Sequence, residues 1–132
     1  MEEALSAYLL ADAGLTALVD NRVNWNARPQ AQASPSVVLN RVGGTPAYSM
    51  TGASGLVQSR IQIDAWGKTF SSVIGVSRAV KEALSGISTT VGVIRFQGSF
   101  IDSERQSFEQ GSGGEYFHRV SLDFIVWHSP TE

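Results

Sequence analysis

The chain contains no cysteine, which excludes thiol redox chemistry, thiolate metal ligands and a disulfide framework. No apolar run approaches the ~20 residues that cross a bilayer as a helix, so no membrane partner is expected. Its opening, MEEALSAYLLADAG, has no basic stretch ahead of a long apolar run. It does not read as a signal peptide, and synthesis in a cytoplasm is expected. Positive charge is sparse and never clusters. Proteins that grip nucleic acid regardless of sequence do so through clustered Lys and Arg, so DNA is not expected to be held directly. Charged residues of both signs make up 17% of the chain, against ~25% in ordinary globular proteins.

What is present fits one folded unit. A chain of 132 residues suits a single domain that buries roughly two-thirds of its unfolded surface. Of ten cations, eight are arginine and two, Lys68 and Lys81, are lysine. Arginine is enriched and lysine depleted at protein interfaces, because the planar guanidinium pairs well and is weakly hydrated. A genome whose base composition favours arginine codons gives the same bias. Low charge together with arginine preference points toward an oligomer with much covered surface.

Residues 2–19 read as a helix with Ala4, Leu5, Tyr8 and Leu9 on one face. Asp12 is placed to cap a second short turn over Leu15, Leu18 and Val19. Residues 22–25 and 36–42 read as strands, separated by an aperiodic connection. Residues 43–55 read as a long glycine-rich loop or hairpin tip. Residues 56–66 alternate strictly: Val57, Ser59, Ile61, Ile63 and Ala65 against Gln58, Arg60, Gln62, Asp64 and Trp66. Residues 70–85 form the clearest helix, with Val73, Val76, Val80, Leu84 and Ile87 as its buried stripe. Thr69 or Ser71 can cap its start, and Gly86 suits its end. Residues 91–101 read as a strand, 102–114 as a loop and 116–128 as a last long strand. The predicted architecture is α+β: one domain over residues 1–128, a mostly antiparallel or mixed sheet with helices on one face, and a tail at 129–132.

Candidate chemistry fails on spacing. A phosphate-cradling G-x-x-x-x-G-K-[ST] loop ending in Gly67, Lys68 and Thr69 needs a glycine at position 62. That position is Gln62, in mid-strand. The glycine-rich segment 52–55 leads into a strand, so it lacks the helix N-terminus that holds dinucleotide phosphates. His118 and His128 share a strand face but lie roughly 30 Å apart at ~3.4 Å per residue, too far to share a metal. Asp123 points to the other face, away from His118, so Ser121, His118 and Asp123 cannot form a triad within this strand. Asp102 and Glu104, beside Arg105, suit a solvated turn or an ion pair between subunits. No catalytic, cofactor or metal site is expected.

The strand faces are more informative. Val57, Ile61, Ile63, Val120, Leu122, Phe124 and Val126 would pack under the helices. The other face would carry Arg60, Gln62, Asp64, Trp66, Arg119, Asp123, Ile125 and Trp127. An ordinary solvated face with cross-strand Arg–Asp pairs fits part of this set. Two tryptophans on it favour a protein contact, since Trp and Arg dominate binding hot spots. The expected interface is Arg60, Gln62, Asp64, Trp66, Arg119, Asp123 and Trp127. Two loops, carrying Gly44, Tyr48, Met50, Gly52 and Gly55, and Arg105, Phe108, Gly111 and Gly113, are expected to be mobile until they order against a partner.

The segment SGLVQSRIQIDAWGKTFSSV followed by SRAVKEAL resembles the small tail-completion proteins of long-tailed bacteriophages. These are also called tail terminators or head–tail joining proteins, and related proteins occur in gene transfer agents. LLADAGLTALV, SVVLNRVGGTP, IDSERQSFEQ and YFHRVSLDFIVWH extend the likeness over nearly the whole chain. RIQIDAW leading into a helix is its most specific part. Relatives often place Tyr-Pro where this chain has Asn24-Trp25. The resemblance implies a non-enzymatic virion protein, assembled in a bacterial cytoplasm and located at the tail–head junction. It implies a hexameric ring on the tail tube protein that meets a neck or head-completion protein, with DNA passing through unread. A small cytoplasmic oligomeric α+β module that binds a ligand or regulates a partner is the alternative.

Overall fold

The computed structural model describes residues 1–26, 35–49, 52–110 and 116–130. Its elements are α1 (Glu2–Leu10), α2 (Ala13–Val19), β1 (Val23–Trp25), β2 (Ser36–Ser49), β3 (Gly52–Gly67), α3 (Phe70–Leu84), β4 (Thr89–Val91), β5 (Ile94–Gln110) and β6 (Tyr116–Pro130). The helix expected over residues 2–19 is two helices. The Asp12 carboxylate accepts the Leu15 backbone N–H at 3.0 Å and so starts α2 as a new segment. The Thr69 hydroxyl accepts the Ser72 N–H at 3.3 Å and opens α3. Gly86, at φ 71°, follows its end and donates its N–H to the Ser99 carbonyl at 2.7 Å, tying the helix exit to β5.

The strands form one six-stranded sheet in the order β1-β2-β3-β6-β5-β4. β1 and β2 are parallel and every other pair is antiparallel. One face is apolar and packs under all three helices. Leu5 and Leu9 of α1, Leu15 and Val19 of α2, and Val73, Val76, Val80 and Leu84 of α3 meet Val37, Leu39, Ile61, Ile63, Phe96, Leu122, Phe124 and Val126 in one buried cluster. This is the α+β arrangement the alternation predicts. Of the expected core strand residues, only Val57 stays outside that cluster, half-buried.

Two expected loops are strands. Gly44 pairs with Ser59, Tyr48 with Ala53, and Ser49 with Gly52, and Gly55 lies within β3. Arg105 pairs with Ser121, and Phe108 with His118. Glycine, serine and proline have low strand propensity, so these segments read as loops. Cross-strand pairing satisfies their backbone groups and overrides that preference. Met50, Gly111 and Gly113 lie outside the described residues. β6 continues two residues past His128, through Ser129 and Pro130.

The result is a sheet with two hairpin arms pointing in opposite directions. β6 ceases to accompany β3 beyond Val57, opposite His128, so β2 and β3 continue alone toward residues 49 and 52. At the other end β3 stops at Gly67, opposite His118, and β5 and β6 continue alone toward residues 110 and 116.

Candidate functional site

The face of the sheet turned away from the helices holds a row of cross-strand pairs built by β3 and β6. Arg60 stands beside Ile125, Gln62 beside Asp123, Asp64 beside Ser121, and Trp66 beside Arg119. The structure therefore brings six of the seven expected interface residues into one contiguous patch, and Trp127 follows Ile125 on the same face.

The centre of this patch is largely buried and hydrogen-bonded within the chain. Asp64 and Asp123 are only 4% and 5% exposed. Ser121 Oγ donates to Asp64 Oδ1 at 2.6 Å, and Gln62 Nε2 reaches the same carboxylate at 3.1 Å. Asp123 Oδ2 accepts from Ser103 Oγ at 2.9 Å and from Arg60 and Arg105, each at 3.3 Å. Its Oδ1 is buried with no partner. Arg60 also donates to Asp102 at 2.5 Å. These ion pairs hold the guanidinium protonated and move its pKa upward, the Asp102 hydrogen bond contributing most. Buried carboxylates are tolerated only when paired and hydrogen-bonded, and both carboxylates here are held by partners within the chain, with Asp123 Oδ1 alone left unpaired among their oxygens. Asp102 and Glu104, expected in a turn or between subunits, are paired within the chain, Glu104 with Lys81 at 3.2 Å.

The two ends of the patch differ from its centre. At one end the Arg119 guanidinium lies 5.0 Å from the centre of the Trp66 ring, and its Nε donates to Ser107 Oγ at 3.0 Å. This stacking uses the tryptophan's face within the protomer. At the other end Ile125 and Trp127 are half-buried beside Phe100, which is 57% exposed. Phe100 pairs with Ile125, and Gly98 with Trp127. The Phe100 ring lies across Gly98, where a Cβ would come within 2.9 Å of it. A side chain at position 98 would lift the ring off the sheet.

Phe100 is the residue that reading the sequence misses. β5 has irregularities between Phe96 and Gly98 and between Ile101 and Ser103. Each extra residue reverses which side chains face the core. The available signal is the Gly98-x-Phe100 spacing, a glycine two positions from an aromatic on one strand face.

On the helix side, His128 is 6% exposed, and its Nε2 lies 2.8 Å from Ser59 Oγ. Burial pushes its pKa down to about 4, aided by the positive charges of Arg41 and the amino terminus and opposed by Glu2. A folded-state pKa below the unfolded one means the stability contribution is complete above about pH 6.5 and is lost as pH falls toward 4. We predict that His128→Gln flattens the loss of thermal stability over this range, with a difference between the two curves on the order of 2–3 kcal/mol. Parallel melting-temperature profiles from pH 8 to 4.5 would refute it.

A groove of about 650 Å³ opens beside α1, lined by Glu2, Glu3, Ala7, Leu10, Trp25 and Arg41 among others. The Trp25 indole N–H donates to Ser6 Oγ at 2.6 Å and fixes one wall. Among the described residues, no group of three or more His, Asp or Glu is placed to hold a metal ion. Gln62 sits in the middle of β3, and Gly67 leads straight to the Thr69 cap, so no loop cradles phosphate at Gly67-Lys68-Thr69.

The profile of a family described as "Tail completion protein gp17" matches residues 3–129. A solved chain from the "Virion of native gene transfer agent (GTA) particle" superposes with a TM-score of 0.77 at 24% identity, covering 98% of this chain and 94% of its own. A second solved chain gives a TM-score of 0.53 at 14% identity, covering 96% of this chain and 95% of its own. No curated protein sequence matches.

Proposed function

Because the chain belongs to the family of tail completion protein gp17, a component of phage-type tails, we propose that it caps the finished tail tube as a ring of six copies. The ring ends tube polymerisation and presents a surface to the neck or head-completion protein. DNA passes through its centre without being read. The role is structural, located in the virion, and involves no chemical step. The observation that carries this reading is the family match over residues 3–129. The sheet with two opposed hairpin arms is consistent with it, because a cyclic ring needs two different patches meeting head to tail.

Within that reading, the contact centre on the outer face is Phe100, Ile125 and Trp127. Arg60, Gln62, Asp64 and Asp123 are largely occupied with one another and form the polar surround. Trp66 and Arg119 lie at the far end of the same face. The β2–β3 arm holding Tyr48, Gly52 and Gly55 and the β5–β6 arm that starts at Phe108 reach toward neighbours, while Gly44 and Arg105 lie within the body of the sheet. Each ring contact of standard size buries about 800 Å² per partner.

Deleting the gene tests the assignment. Particles lacking the protein should carry tails of uncontrolled length, or heads should accumulate without tails. Normal-length tails joined to full heads in the null strain would overturn it.

A further inference from the structure

The short outer strands leave most of the sheet's two long edges uncovered. β1 runs beside β2 only at Val37–Leu39, and just beyond it the Asn26 N–H donates to the Leu39 carbonyl. β4 runs beside β5 only at Ile94–Phe96, and the Gly86 N–H donates to the Ser99 carbonyl. Past these points no described strand lies along β2 from Asn40 to Ser49, nor along β5 from Phe100 to Gln110. The two open runs are similar in length, roughly 35 Å each. An edge strand points a row of backbone N–H and C=O groups outward, a template for another strand. Exposed apolar side chains stand on both runs: Val42 on β2, and Phe100 and Ile101 on β5.

β2, β3, β6 and β5 alternate in direction, so β2 and β5 run antiparallel at opposite sides of the sheet. Rotation about a ring axis preserves strand direction along that axis. The next copy therefore offers its β2 to β5 in the antiparallel sense that every pair of long strands already uses. The covered stretches lie at opposite ends of the strands. Leu39 is level with Ile63, Leu122 and Glu104, whereas Phe96 is level with His128 and Val57. Sliding the neighbour by about six residues along the strands, roughly 20 Å, brings the two open runs together clear of β1 and β4. Four long strands ~4.8 Å apart span about 19 Å. The slide therefore corresponds to a strand tilt of about 45°, the tilt at which β-barrels close.

A closed ring demands two unlike patches on every copy, and the two open edges are such a pair. We infer that the open edge of β2 in one copy pairs antiparallel with the open edge of β5 in the next copy of the same chain, joining the sheets of the ring into one barrel. The inference rests on the ring reading and adds to it the joint between copies. Closure removes both edges at once. All three helices cover one face of the sheet, so the bare face turns toward the channel. Phe100 and Ile101 open the β5 run and lie in the seam.

The absence of native cysteine makes the test direct. Val42→Cys and Gln106→Cys alter exposed side chains, one on each open run. Within one copy β3 and β6 lie between these positions, which stand at different levels about 20 Å apart, beyond a short thiol-to-thiol crosslinker. The double variant, assembled on tails and treated with that crosslinker, should give a ladder of covalent oligomers ending at the closed ring. A mixture of the two single variants should give dimers, and neither single variant alone should do so. In the unsubstituted chain, hydrogen exchange at the amides of residues 40–49 and 100–110 should slow on assembly. Rings seen by electron microscopy without these crosslinks, or with those amides exchanging as fast as in the free chain, would overturn the inference and leave the ring intact. Dimers from Gln106→Cys alone would also overturn it, by showing that two β5 edges pair with each other. Absence of any ring on tails, with only monomer after crosslinking, would overturn both.

Discussion

Phe100→Glu should abolish ring assembly on tails while leaving the free protein folded. Phe100 is the most exposed member of the outer-face apolar group, lying over Gly98 beside Ile125 and Trp127. Removing its ring from solvent-facing strand surface costs the monomer little, because exposed substitutions usually stay within about ±0.5 kcal/mol. At an interface, a buried carboxylate in place of an aromatic anchor costs 2 kcal/mol or more per contact, as hot-spot truncations do, which is roughly a 30-fold weakening. Trp127→Ala should act in the same direction, with a larger effect on the monomer because the indole is half-buried. The measurements are ring occupancy on tails by electron microscopy and melting temperature of the free chain. Equal loss of both would show that these side chains serve the fold alone. Arg60→Glu is a poorer probe. It would set a third carboxylate against Asp102 and Asp123 and disturb the fold and the contact together.

Phe124→Ala should give one of the largest losses of stability of any single truncation in the sheet, matched only by Phe96, the other fully buried phenylalanine. Phe124 is fully buried on β6, paired with Ile61 on one side and Ile101 on the other. Truncating a buried phenylalanine removes transfer free energy and leaves a cavity, about 3–5 kcal/mol in total. That is a large share of the ~5–15 kcal/mol that holds a domain folded. Urea unfolding should show a lower midpoint at unchanged slope. An unchanged midpoint would mean that the sheet face under the helices is not the stabilising core.

The elements most legible in the sequence are those whose signal is local. The α3 stripe of Val73, Val76, Val80 and Leu84 and the alternation of β3 place these residues on the buried side before any partner is known. The β2–β3 hairpin was not legible. Gly44, Gly52 and Gly55 carry no strand preference of their own, and their strand conformation comes from the segment opposite. The burial of Asp64 and Asp123 was also hidden, because alternation gives a face and not what surrounds it.

By itself the sequence determined the α+β class, the helix cap at Asp12 and one at Thr69 or Ser71, the apolar side of β3 and β6, and the impossibility of a phosphate loop with Gln62 in mid-strand. Periodicity, capping and spacing act over a few residues, so they can be read along the chain. Only the tertiary structure decided which side chains meet. Arg60 reaches Asp102 across 42 positions and Asp123 across 63. The bulge at Asp102 resets which residues of β5 face that network, and Phe100 emerges on the outer face only because an earlier bulge has reversed the alternation. Register between distant strands is fixed by the whole sheet packing at once, and no short stretch of sequence contains it.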